Sequence, residues 1–256
     1  AVTIATRHSS HAALVAQALT AGLAVFVEKP LALNAEGLSL IRRAMRPDSR
    51  LMVGFNRRFS PALQRMAQLL RGCAPLHMIY RVQAGQLPPD AWQSLASEGG
   101  RFVGEAGHFL DTFQFLVNAR PTGIVAARLH PPSATRDHSA NVSATVSYAD
   151  GSVGTLLYTT QGGARLPKEY FEVHGGGISL CLSNFETLTI SSGARKVVDE
   201  KLDGGKGQKQ QMKAFVDALA RGGSMPVPFE VISDVTELTI DAVRLSQGQL
   251  PDTFDA

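Results

Sequence analysis

The sequence predicts an α/β chain that runs into an α+β half. The first part is half of a doubly wound parallel sheet. The second is a mostly antiparallel open sheet with helices on one face. Three observations predict this. Val25-Phe26-Val27 is an apolar run that stops on Glu28-Lys29-Pro30, as a buried parallel strand does. Helical-period segments stand before and after it, so strand and helix alternate up to Phe55. From Thr122 the apolar period becomes two, and Asp150-Gly151 separates two alternating runs in the manner of a hairpin.

In order, Ala1 to Thr6 reads as a short buried strand. His11 to Ala21 carries Leu14, Ala18 and Ala21 at helical spacing, and Gly22 stops it. The strand at 25–27 completes a β-α-β unit. Asn34 caps a helix from Ala35 to about Arg46, ended by Pro47-Asp48, and Leu51 to Phe55 is the next strand. Ser60-Pro61 opens a helix to about Arg71. Leu76 to Val82 is a strand, and residues 85–100 form a long polar loop with the only tryptophan, Trp92. Glu105 to Leu116 is a helix. Beyond the hairpin, strands are expected near 169–174, 178–182, 187–191 and 195–199. Helices at about 207–221 and 230–247 close the chain; the second puts Val231, Val235, Leu238, Ala242 and Leu245 on one face.

Composition narrows the function. A net charge of +3 with no run of like charge argues against a nucleic-acid arm. No apolar run has transmembrane length and no signal peptide is visible, so a cytoplasmic chain without a membrane partner is expected. Cys73 and Cys181 are read as reduced thiols. His130, Asp137, His138 and His174 lack metal-ligand spacing, so no metal is expected. The chain opens at Ala1 inside a strand-like run, which suggests a fragment.

Two residue types carry the candidate chemistry. Lys29 stands beyond the carboxyl end of a parallel strand, where open α/β sheets bind ligands. Lysine shifts its pKa readily when desolvated. The same Glu28-Lys29 pair also reads as an exposed ion pair at a strand end. A cis Lys29-Pro30 bond would be a feature that aims Lys29. His108 titrates near neutral pH without any shift, yet by itself reads equally as a helix-face histidine with a satisfied hydrogen bond. Glu105 and Asp111 lie three residues either side of it and are both placed to orient its ring. Arg57 and Arg58 divide between an anionic ligand and the junction of the two halves.

These residues also carry a resemblance. Ala5-Thr6, His11, Ala18 to Gly22 and the Glu28-Lys29-Pro30 triplet resemble the second half of the nucleotide-binding domain of the Gfo/Idh/MocA oxidoreductases. Gly54 to Pro61 resembles that family's junction, and Gly99 to Asp111 the helix that brings its catalytic histidine to the nicotinamide. The resemblance covers nearly the whole chain. It implies a partial Rossmann domain at 1–56 and a substrate-binding and oligomerisation domain at 57–256. It implies NAD or NADP as cofactor, contacted by Thr6, Arg7, His11, Glu28, Lys29, Pro30 and Arg57, with His8 in the same loop. It gives Lys29 the role of proton relay and hydroxyl ligand, His108 that of general acid–base, and Glu105 or Asp111 that of its partner. Trp92, Arg58, Arg165 and Lys168 would line the site for a sugar, cyclitol or sugar derivative; linear or nucleotide-linked substrates suit the same scaffold. A homo-oligomer through the antiparallel sheet is implied. So is an upstream fused module, since the loops are closest to members found behind zinc-type alcohol dehydrogenase modules. Two features depart from the family. No Gly-x-Gly-x-x-Gly turn is present, and Gly104 stands where many members have an aspartate. The rival reading is a non-catalytic module that acts through sheet-mediated association.

Overall fold

The structure, a computed structural model, describes residues 1–88, 90–129, 140–163, 165–193 and 197–248. Three parallel strands, β1 (Val2–Ile4), β2 (Val25–Val27) and β3 (Leu51–Val53), form the first sheet in that order. All of β2 is buried, which is why its residues are apolar without alternation. α1 (His8–Thr20) joins β1 to β2, and α2 (Ala35–Ala44) joins β2 to β3. The Asn34 side chain caps α2 by accepting from the Gly37 amide at 2.9 Å. α1 begins earlier than its apolar pattern indicates, because His8 and Ser9 are held by residues far away in sequence.

Arg57–Phe59 makes a single 3-10 turn before α3 (Pro61–Leu69), where Ser60 Oγ accepts from the Leu63 amide. β4 (His77–Gln83) follows. The stretch at 85–100 is less irregular than its composition implies. Trp92–Ser94 and Ala96–Glu98 form two short 3-10 turns, and α4 (Gly100–Val117) starts at Gly100 instead of Glu105.

The second sheet contains β4, β5 (Pro121–Arg128), β6 (Val142–Tyr148), β7 (Val153–Thr159), β8 (Glu169–Gly175), β9 (Ile178–Ser183), β10 (Thr187–Ser192) and β11 (Val198–Lys201). The order is β11-β10-β9-β8-β4-β7-β6-β5. The order follows the sequence from β5 to β11 except at one place. β4 lies between β7 and β8, parallel to the first and antiparallel to the second. Its buried Met78, Tyr80 and Val82 give it the most to gain from a central position. The strand expected at 195–199 is found as β11, and residues 194–196 lie outside the described residues.

α5 (Gln208–Arg221) and α6 (Phe229–Ser246) end the described chain. The inner sheet face packs against Phe109 and Phe113 of α4 and against Val235, Leu238 and Ala242 of α6, in one continuous core. The other face leaves Ile79, Leu157 and Val125 exposed. α5 returns to the parallel sheet, setting Phe215 on Phe26 and Met52, while Gln211 donates to the Val53 carbonyl. Side chains from beyond residue 56 thus finish the packing of β2 and β3. They fix the strand ends relative to α4.

Candidate active site

The loops after all three parallel strands meet α4. Two glycines permit this approach. A Cβ on Gly104 would lie 2.7 Å from Cε1 of His8, and one on Gly107 would lie 2.8 Å from Phe55. Lys29 follows β2, and its bond to Pro30 is cis. Its Nζ forms no ion pair within 4 Å among the described residues. Burial pushes its pKa below the usual lysine value, against the pull of Glu105 and Glu28.

His108 lies one turn along α4 from Gly104, against the ring of Phe55. It is buried, and Nδ1 is enclosed without a hydrogen bond to the described residues. Proton exchange at this imidazole is therefore left to Nε2. Burial pushes its pKa well below the ordinary value, helped by the cations Arg57 and Lys29, then Lys168 and Lys206. The expectation that His108 needs no shift is corrected: the ring is neutral at pH 7 because a charge there would be desolvated among cations.

The expected partners of His108 are engaged elsewhere. Asp111 is fully buried, and both of its oxygens accept from Nε of Arg58, at 2.9 and 3.0 Å. This corrects two expectations together. Asp111 makes no bond to His108, and Arg58 is a buried cation whose Nε and Nη2 are both held by Asp111. Glu105 accepts from the Tyr158 hydroxyl at 3.1 Å and lies 3.4 Å from Lys168 Nζ and 3.8 Å from Arg101 Nε. It acts on Lys29 and makes no bond to His108.

Arg57 is also removed from its expected cofactor contact. It donates through Nε and Nη2 to Glu169, at 2.8 and 2.9 Å. Glu169 further accepts from Tyr80 Oη and Lys206 Nζ, each at 2.7 Å. Burial alone would raise the Glu169 carboxyl, but Arg57 and Lys206 outweigh it and hold the pKa down at about 2. Sequence reasoning missed this residue as a site element. The available signal was its inward position in β8, in phase with Phe171 and Val173.

His11 is fully buried, with Nδ1 2.8 Å from the Pro30 carbonyl and Nε2 3.2 Å from the Thr6 carbonyl. It ties two strand-end loops together, so its expected contact with a cofactor is corrected to a structural one. Thr6 bonds to Ser10, and the Arg7 guanidinium lies 5.1 Å from the Trp92 ring. Trp92 therefore sits beside the loop after β1. Glu28 is exposed at the crevice edge, and Pro30 lies buried behind Lys29. Arg165 is exposed with no contact that draws it to α4. His130, Asp137 and His138 lie outside the described residues. No group of three or more metal-ligating side chains occurs among those described.

The N-terminus of α1 holds a carboxylate that no sequence pattern indicated. Glu98 accepts from the Ser9 amide at 3.0 Å and from Ser9 Oγ at 3.1 Å. The amide bond holds its pKa below the usual range. A helix N-terminus already neutralised in this way is no cradle for a pyrophosphate.

A Rossmann-type parallel sheet is thus joined to a mixed, mostly antiparallel sheet, with a lysine at a strand end and a neutral histidine on the helix at the joint. Comparison with known proteins finds a family model over part of the chain. Residues 1–55 match the GFO_IDH_MocA model, described as an oxidoreductase family with an NAD-binding Rossmann fold. Inositol 2-dehydrogenase of Rhizobium meliloti (strain 1021) is 30% identical over 129 residues, 49% of this chain and 39% of that protein. The rhizopine catabolism protein MocA of Rhizobium meliloti is 28% identical over 160 residues, 60% of this chain and 50% of that protein. The chain thus spans half or less of the length of these curated relatives. A solved levoglucosan dehydrogenase in complex with NADH and levoglucosan superposes with a TM-score of 0.83 at 21% identity, over 99% of this chain and 80% of that one. An oxidoreductase domain protein from Kribbella flavida gives 0.82 at 19% identity, over 96% and 78%. These structures share the fold.

Proposed function

We propose that this chain is the nicotinamide-facing and substrate-binding part of an NAD(P)-dependent oxidoreductase of the Gfo/Idh/MocA type. Its substrate is a sugar, cyclitol or related polyol. The observation that carries the reading is the pairing of Lys29 with His108. One is an amine without an ion-pair partner, the other an imidazole kept neutral, and both lie where strand ends meet α4. The family match over residues 1–55 supports the cofactor class. A polyol is supported by what the relatives are named for.

The residues fit the nicotinamide end of such a cofactor. Lys29 and Nε2 of His108 remain available for an oxygen atom, while Arg57, Arg58 and His11 are consumed by the scaffold. When bound, the nicotinamide supplies the hydride acceptor or donor. Lys29 holds the carbinol oxygen and relays its proton. His108, neutral at pH 7, exchanges a proton through Nε2. Glu105 tunes Lys29 and positions Lys168. Neither a Gly-x-Gly-x-x-Gly turn nor a free N-terminus on α1 is available for the pyrophosphate. Weak NAD(H) binding by these 256 residues alone is therefore expected.

Steady-state assay with NAD+ and NADP+ against sugars and cyclitols tests the reading. Lys29→Ala and His108→Ala should each lower kcat about 100- to 10,000-fold, the range of a lost acid–base group. Unaltered turnover in both variants would overturn it. The exposed Ile79, Leu157 and Val125 favour a second property. We propose that copies of the chain associate through the open sheet face.

A further inference from the structure

The charges gathered between the inner sheet face and α4 do not balance, and the surplus bears on what binds there. Tyr158 of β7 and Glu169 of β8 stand on either side of Val82 in β4, and all three side chains are buried. Tyr158 donates to Glu105 of α4, so Glu105 and Glu169 are both tied to this part of the sheet.

Four cations share these two carboxylates. Arg57 Nε and Lys206 Nζ lie 2.8 and 2.7 Å from oxygens of Glu169. Lys168 Nζ and Arg101 Nε lie 3.4 and 3.8 Å from oxygens of Glu105. Among the described residues, no second carboxylate comes within 4 Å of any of the four. Glu105 is the more heavily shared. It also acts on Lys29, and it leaves Arg101 Nε enclosed without a hydrogen bond to the described residues. The surplus reaches His108, whose proton is opposed by Arg57, Lys29, Lys168 and Lys206 together. Lys168 is the most exposed of the four shared cations, with 41% of its side chain accessible, so a ligand approaches it at the least cost in desolvation. A cleft with a surplus of one sign gathers ligands of the other. Oxidation of a carbinol also begins with a cationic nicotinamide. A neutral polyol leaves that added charge unopposed, and an anionic one offsets it.

We propose that the substrate of this site is an anionic polyol, a sugar or cyclitol derivative bearing a carboxylate or phosphate group, and that Lys168 receives that group. The inference rests on the oxidoreductase reading above and narrows its polyol. Both groups present acceptor oxygens to the three donors of an ammonium. Lys168 immediately precedes β8, next to Glu169, so its backbone is fixed by the sheet. When the anion takes Lys168, Glu105 is left to Arg101 and Lys29.

The test uses matched probes in the protein that carries this chain: D-glucose against D-glucuronate, and myo-inositol against its monophosphate. For each, kcat/KM is measured with NAD+ and NADP+, and Kd is measured by calorimetry without cofactor. One anionic probe should surpass its neutral parent about 10-fold or more in both quantities. A preference for glucuronate identifies a carboxylate, and a preference for the monophosphate identifies a phosphate. Raising NaCl from about 50 to about 500 mM should shrink the ratio about threefold or more. Lys168→Gln should lower the ratio about fivefold and Lys168→Arg should keep most of it, whereas a merely structural role would change both members of a pair alike. If the neutral parents are bound and oxidised as well as their anionic counterparts, or if the ratio survives Lys168→Gln, the proposal fails and the oxidoreductase reading stands. If the anions bind preferentially but no probe is oxidised with either cofactor, the oxidoreductase reading fails and the anion site stands. If no probe binds or turns over, both fail.

Discussion

Replacing Glu169 with Gln tests the electrostatic frame of the site most directly. The carboxylate is 1% exposed and accepts from Arg57, Tyr80 and Lys206. A carboxyl held at about 2 where 4.5 is ordinary contributes on the order of 3 kcal/mol of pH-linked stability. Glutamine keeps the shape but leaves the Arg57 guanidinium buried without its counter-charge, a change that costs about 3–5 kcal/mol. For a chain of this size that lowers the melting temperature by about 6–20 °C. The sign with pH follows from the direction of the shift. The folded carboxyl titrates lower than the unfolded one, so its contribution is complete above pH 4.5 and is lost as pH falls towards 2. Chemical denaturation of parent and Glu169→Gln at pH 7, 5 and 3 should show the gap narrowing as pH falls. A loss below about 1 kcal/mol at pH 7, or a gap that is constant with pH, would refute the reasoning.

Other outcomes follow from the same geometry. Asp111→Asn should destabilise by about 3–5 kcal/mol by stranding Arg58, yet leave the kcat pH profile of the folded enzyme in place, because Asp111 makes no bond to His108. A change in that profile would restore Asp111 as the partner of His108. His108 has a folded pKa below its unfolded one, so it contributes stability that is lost as pH falls below about 6.5. His108→Gln should therefore flatten the acid limb of melting temperature between pH 7 and 5, and an unchanged limb counts against the burial argument. Ile79→Lys with Leu157→Lys should convert an associated species to monomer in sedimentation velocity; an unchanged distribution would exclude the open sheet face as the interface.

Much of this was legible in the sequence because it depends on local order. The apolar run of β2, the caps of α2 and α3, and the alternation of β6 and β7 each decide a local conformation, and each appears where the pattern stands. The insertion of β4 between β7 and β8 was not legible, because pairing partners are chosen by burial across the whole sheet. The site divides in the same way. Lys29 could be singled out from its strand-end position, and His108 only through the family resemblance of its helix. Their neighbours could not, because Arg57–Glu169, Arg58–Asp111 and Ser9–Glu98 join residues far apart in sequence. Spacing favoured Asp111 as the ring's partner because it considered only one helix. A buried carboxylate pairs with the strongest donor in reach, and the Arg58 guanidinium surpasses a neutral imidazole.

The arrangement of charges also explains why two basic side chains can share one crevice. The Lys29 charge disfavours a proton on His108, and Arg57 and Lys168 act in the same direction on both groups. For His108, burial and four cations act in one direction, so it is neutral without opposition. For Lys29, Glu105 and Glu28 oppose the effect of burial, so its amine is lowered while keeping two carboxylates that welcome a proton. The two groups are therefore poised differently: the imidazole is kept neutral at pH 7, while the lysine amine is lowered by burial but keeps two carboxylates that favour its charged form. Proton transfer away from a carbinol needs such an asymmetry, since two identical groups would give it no preferred direction. Glu169 serves the same end from a distance. By neutralising Arg57 and Lys206 it limits how far the cations depress His108, and by burying its own charge in that pair it leaves the crevice to Glu105.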